Sequence, residues 1–216
     1  MEEQIINMPA VALRGLTILP GMIAHFDVSR ERSLRAVEEA MEQDQKIYLV
    51  TQRNVDREDP TQEDLYRMGI VADIKQVVRL QNDVVRILVD GISRAALLGF
   101  TGCEKYLEAE ICYCDSNADS LPEDLREAML LGVREAFHRY AAVVGKISKE
   151  LIRQIDQYED LEKLIDYVTN NLPVSYELKQ QVLEAEDIND RYQVIVSLLL
   201  SQVEVISIKN ELQKKV

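Results

Sequence analysis

Histidine and cysteine, the residues behind most metal sites and many nucleophilic centres, are scarce: two histidines and three cysteines in 216 residues. Cys103, Cys112 and Cys114 are too few, and odd in number, for a disulfide framework. Cys112 and Cys114 lie two apart on a predicted strand and share a face, but no further ligand is near in the chain. They read as reduced, semi-buried thiols. His25 and His138 stand beside Phe26 and Phe137 and read as surface or partnered side chains, not as bases. Neither GxGxxG nor GxSxG occurs. The Gly145-Lys146 pair is followed by Ile147 and has no glycine five residues upstream, so it reads as a helix break and not as a phosphate loop. Ser175 and Lys179 are one helical turn apart, with nothing in the sequence to desolvate the lysine. Glu38-Glu39 and Glu186-Asp187 read as solvated helix faces, not as acid–base pairs. These absences predict no catalytic group, no metal and no cofactor. No apolar run reaches the roughly 20 residues of a membrane span. The opening MEEQIINMPA has no basic region, which predicts no secretory signal and a cytoplasmic protein.

What is present is an ordinary globular balance, 47% hydrophobic and 29% charged, with a net charge of −13. That sign repels phosphate backbones and anionic lipid heads, which argues against nucleic acid and membranes as partners. The length suits two small units. The patterning changes near residue 115, at the polar, Pro-terminated stretch from Asp115 to Pro122. This predicts an α+β chain, with a β-rich unit over 1–115 and a helical unit over 116–216.

In the first unit, strands are predicted at Ile5–Leu13, Met22–Val28, Lys46–Gln52, Gly69–Leu80, Val84–Asp90, Ser93–Phe100 and Tyr106–Cys114. Ile47 to Val50 is apolar throughout, as in a strand buried on both faces. A helix is predicted at Glu31–Gln43 with Leu34, Val37 and Met41 inward, and a short one after the capping box Thr61…Asp64. Many strands with one or two helices imply a partly closed barrel or bent sheet. In the second unit, helices are predicted at Glu123–Val144, Lys149–Tyr158, Asp160–Asn171, Ser175–Ala185 and Ile188–Lys215. The first has an inward stripe from Leu125 through Met129, Val133 and Phe137 to Val144. The last carries Ile188, Tyr192, Ile195, Leu199, Val203 and Ile206 in one stripe. At 1.5 Å per residue it reaches roughly 40 Å, so its end is expected to project as a linker or contact arm.

One segment breaks the rule that turns are polar. Leu16, Ile18, Leu19, Met22 and Ile23 surround the Pro20-Gly21 turn. They either cap the end of the barrel or form an apolar surface for other chains. Methionine and flexible apolar side chains suit a surface with many partners. These five are the candidate substrate-binding residues.

Several segments, in order, resemble the N-terminal domain family of ATP-dependent Lon proteases. They are ALRGLTILPGMI from Ala12 to Ile23, the helix from Ser29 to Met41, LVTQ at Leu49–Gln52 and DLYRMGIVA at Asp64–Ala72. VRILVDGISR at Val85–Arg94 follows, with Asp90 where the family has glutamate, and then Leu178–Glu184 and the last helix. The resemblance implies a PUA-like β subdomain joined to a helical bundle. In whole enzymes of the family a long helix leads on to an ATPase and a Ser–Lys protease domain, whose motifs this chain does not contain. It implies a non-catalytic part of a serine endopeptidase that recognises unfolded or damaged proteins and supports assembly as a dimer or part of a hexamer. Two other readings stay open: a purely architectural oligomerisation domain, and a free-standing adaptor for a small ligand or degron.

Overall fold

The structure, a computed structural model, describes residues 4–216. It divides into two compact units, one ending at Cys114 and one running from Asp115 to Val216.

The first unit is built on six strands: β1 (Ile5–Leu13), β2 (Ile23–Val28), β3 (Lys46–Thr51), β4 (Met68–Arg79), β5 (Val85–Phe100) and β6 (Glu108–Tyr113). Helix α1 (Glu31–Glu42) lies between β2 and β3. The strand order is β2-β5-β4-β3-β1-β6, with β6 also pairing back onto β5. Five strands thus close on themselves, and β2 extends the sheet beside the first half of β5. β1 and β3 are parallel; the remaining pairings are antiparallel.

Closure depends on β5, which the sequence splits in two and the fold keeps whole. Its first half pairs with β2 from Val85 to Asp90, and its second half with β6 from Ala95 to Phe100. The register against β4 slips between Val71 and Ala72, opposite Ser93 and Gly91. Such a bulge bends the strand and lets one element serve both ends of the barrel.

Alternation along β1, β3 and β4 feeds two apolar clusters, one on each face. Val11, Leu13, Ile47, Leu49, Ile70 and Ile74 pack with Val37 and Ala40 of α1. Ala10, Ala12, Tyr48, Val50 and Val71 pack with Ala95, Leu97, Ala109 and Ile111. The uninterrupted apolar run of β3 follows from burial on both faces. In α1 the buried positions are Ser33, Ala36, Val37 and Ala40, while Met41 is exposed. Leu34 is half-buried against the same cluster, so Leu34 and Val37 face inward as predicted and Met41 does not; small residues at the other inward positions let the helix approach the sheet closely. The segment after Thr61 is a single 3-10 turn, Gln62–Asp64, with its capping box formed.

The second unit holds α2 (Glu123–Val144), α3 (Lys149–Gln157), α4 (Leu161–Asn171), α5 (Tyr176–Glu184) and α6 (Ile188–Lys214). Local chemistry sets their ends. Gly145 closes α2 at φ +71°, and the side chains of Ser148, Asp160, Ser175 and Asp187 cap the next four helices. Met129, Val133, Phe137 and Tyr140 of α2 are buried, but Leu125 is exposed. In α6, Ile188, Ile195 and Leu199 are buried, whereas Val205, Ile208 and Leu212 are exposed. By length and composition alone α6 could cross a membrane, though only 17% of its most apolar window is buried in the fold.

Arg191 is the largest side chain in the unit's interior, 1% exposed. Its guanidinium donates to the Ala185 and Glu186 carbonyls and to Glu162 Oε1 at 3.0 Å. It thereby satisfies carbonyls at the end of α5 and ties α4 to α6.

Candidate functional site

The Pro20-Gly21 turn is fixed before any side chain is considered. Gly21 sits at φ +76°, a region that L side chains rarely adopt, and the Met22 amide donates back to the Leu19 carbonyl at 3.2 Å. The turn is then docked on β5. The Gly21 amide donates to the Gly91 carbonyl at 2.8 Å, and the Gly91 amide donates to the Met22 carbonyl at 2.9 Å. A Cβ on Gly91 would collide with the Leu19 carbonyl oxygen. The Asp90-Gly91 pair and the Leu19-Pro-Gly21 turn are thus two halves of one contact.

Polar contacts hold the approach to the turn. Buried Thr51 donates to the Leu16 carbonyl at 2.7 Å, and its hydroxyl lies 3.3 Å from that of buried Thr17. Gln52, also buried, donates to the Asn54 and Arg57 carbonyls and accepts from Arg30. The LVTQ run therefore ends in two residues that organise the loops around the turn.

This geometry divides the five candidates. Ile18 is 1% exposed and Leu19 0%; they belong to the interior and leave the surface set. Leu16 and Met22 are half-buried against the first apolar cluster. Ile23 is 68% exposed, on β2 opposite Asp90. Ile92, next to Gly91 and 42% exposed, is an apolar surface residue beside the turn that the sequence reading did not select. Its signal was available only once the Gly91 contact was known. The apolar side chains left exposed at the turn and next to its anchor Gly91 are therefore Ile23 and Ile92, with Met22 in part.

Other candidates resolve individually. Among the described residues, no three of His, Cys, Asp and Glu gather to hold a metal. His25 is exposed on β2, and His138 Nε2 meets Asp156 at 2.7 Å. The Ser175 hydroxyl accepts from the Leu178 amide as a helix cap. Lys179 corrects one expectation: burial does desolvate it and lowers its pKa. Its ammonium, however, donates to the Asn170 carbonyl at 3.4 Å.

A family model, the ATP-dependent protease La (LON) substrate-binding domain, matches residues 7–201. The chain belongs to this family. The Lon protease of Lachnoclostridium phytofermentans is 38% identical over 216 residues, covering 100% of this chain and 27% of that protein. The Lon protease of Clostridioides difficile is 34% identical over 213 residues, covering 97% of this chain and 27% of that protein. The chain thus spans about a quarter of the length of the curated relatives it matches. The match lies in the substrate-binding region and does not reach an ATPase or protease domain. The fold is that of the N-terminal domain of a Mycobacterium avium complex Lon protease, with TM-score 0.72 at 19% identity, covering 90% of this chain and 98% of that one. A Lon N-terminal domain protein from Xanthomonas campestris gives TM-score 0.60 at 15% identity over 89% of this chain and 98% of that one.

Proposed function

We propose that this Lon substrate-binding domain recognises unfolded or damaged proteins in the cytoplasm, for ATP-dependent proteolysis by domains outside the segment described. The observation that carries the reading is the exposure of Ile23, and in part of Met22, at a turn docked on β5 beside Gly91, with exposed Ile92 next to Gly91 in the chain, in a protein of net charge −13. Unfolded proteins expose apolar segments that folded ones hide. A patch that buries about 200–300 Å² of apolar area gains about 5–7 kcal/mol gross. Ordering and association costs remove much of that, which leaves a single site in roughly the micromolar-to-millimolar range. Copies arrayed on one assembly raise the effective strength by about 10²–10⁴ without new contacts, and weak single sites still allow release. Titrating the chain with a reduced and alkylated, permanently unfolded lactalbumin and with the folded protein tests this. Binding to the unfolded form alone is expected; equal or absent binding to both contradicts the reading.

A second role, in assembly, rests on α6. Val205, Ile208 and Leu212 are exposed on its last turns at spacings of three and four, which is one helical face. Self-association through that face is checked by sedimentation: Ile208→Glu with Leu212→Glu should give a monomer where the parent chain associates.

A further inference from the structure

Among the described residues, β2 is hydrogen-bonded along one edge only, to β5. The direction of its backbone groups follows from the register. Gly91 donates to the Met22 carbonyl, so Met22 and Gly91 face each other as a hydrogen-bonded pair. Antiparallel pairs alternate between hydrogen-bonded and non-hydrogen-bonded. Ala24, Phe26 and Val28 therefore turn their N–H and C=O groups to β5. Ile23, His25 and Asp27 turn theirs away, to the open edge. Among the described residues no hydrogen bond reaches these three N–H and three C=O groups. The side chains of Ile23, His25 and Asp27 are likewise exposed.

Beside this edge, between β2 and the end of β1, lies a cavity of about 230 Å³. Leu13, Leu16, Phe26 and Val28 form its apolar wall, and Arg14, Arg30 and Asp27 border it. Arg30 is held by the Ala12 and Glu58 carbonyls and by Gln52. Burial, and then the nearby Arg14 charge, lower its pKa. With two arginines at its border, and the Asp27 carboxylate already bound by Arg86, a further cation is disfavoured in the cavity, while an apolar side chain is accommodated.

We propose that an extended segment of an unfolded polypeptide adds as a further strand to the open edge of β2, placing alternate side chains over the Leu16–Phe26 cavity and the intervening ones beside Ile23. This deepens the proposed function and rests on it. Main-chain pairing supplies affinity that does not depend on sequence, and the cavity supplies a preference for apolar side chains at every second position. A folded protein has already paired the backbone groups that the edge requires, so selection for unfolded chains is built into the contact. The turn before β2, anchored on Gly91, presents the strand in a fixed position.

The probe is a fluorescein-labelled eight-residue peptide in which leucine alternates with threonine or glutamate, read by anisotropy with the 216-residue chain. Two versions carry backbone N-methyl groups, one at the leucines and one at the other residues. In an added strand only alternate amides face β2, and the leucines fix the register. One version should therefore bind about tenfold more weakly or worse, and the other within about twofold of the parent. His25→Pro removes the central open-edge amide without touching a bond to β5, so it should weaken the parent peptide to a similar degree. The N-methyl comparison needs no variant and stands whether or not His25→Pro folds. Equal effects of the two methylation patterns overturn strand addition. If the unfolded lactalbumin still binds in that case, the recognition reading survives alone; if neither probe binds, both fall. A dimer that His25→Pro dissociates and that the peptide leaves intact assigns the edge to a second copy and overturns the proposal.

Discussion

Ile18 and Ile23 are five residues apart in one apolar run, yet one is sealed in the interior and the other is largely in water. Residue type cannot separate them, because outside regular structure there is no period to say which way a side chain points. The deciding contact is Gly91 against the Leu19 carbonyl, and it joins residues some seventy positions apart. Ile18→Ser should cost about 3 kcal/mol or more, as a buried cavity with an added hydroxyl does, whereas Ile23→Ser should stay within about 0.5 kcal/mol. Urea unfolding of the two variants reads the difference. Gly91→Ala should cost about 1–3 kcal/mol by forcing the turn off β5, without changing any exposed side chain. Arg191 is the comparable residue of the helical unit. Arg191→Met should destabilise it by about 3 kcal/mol, because it leaves several acceptors unpaired, while Glu162→Gln, at a partly exposed partner, should cost under about 1 kcal/mol. Arg191 was invisible in the sequence because a cation on a helix ordinarily lies on the solvent face.

Most elements were legible from their periods, and the misses have local causes. β5 was split in two at Gly91-Ile92, whereas the fold carries these residues through a bulge inside one strand. On α1, Leu34 and Val37 face the sheet as predicted but Met41 does not, because the small residues Ser33, Ala36 and Ala40 take the closest positions. The capping box at Thr61 was legible, but it begins a single turn. The Thr61 amide holds the Asp64 carboxyl below the ordinary carboxylate range, helped by the Thr61 hydroxyl and Arg57 and opposed by burial. A lowered pKa in the fold gives stability that is present above the unfolded value and lost as pH falls through the folded one. The stability gap between the parent chain and Asp64→Asn should therefore shrink on acidification, as thermal unfolding across that range would show. For β2 the backbone geometry makes its own prediction. In amide hydrogen exchange Ala24, Phe26 and Val28 should be protected while Ile23, His25 and Asp27 exchange rapidly. Uniform protection along the strand contradicts the open edge.

The chain divides between Cys114 and Asp115, where the sequence changes period, and the family was legible from motifs in order. The proposed binding surface was not readable at this scale, since it depends on which members of an apolar run the fold leaves outside. A net charge of −13 opposes self-aggregation through exposed isoleucines and weakens attraction to other acidic surfaces. Binding through the apolar surface should therefore persist, or strengthen, when salt is raised, in contrast to binding driven by charge. The most direct test of the account is the affinity of unfolded lactalbumin for the parent chain against a Met22→Ser, Ile23→Ser variant whose unfolding midpoint in urea is unchanged. The account predicts at least an about tenfold loss in the variant, from removal of apolar contact area alone. An undiminished affinity in a folded variant would place recognition elsewhere on the molecule and contradict it.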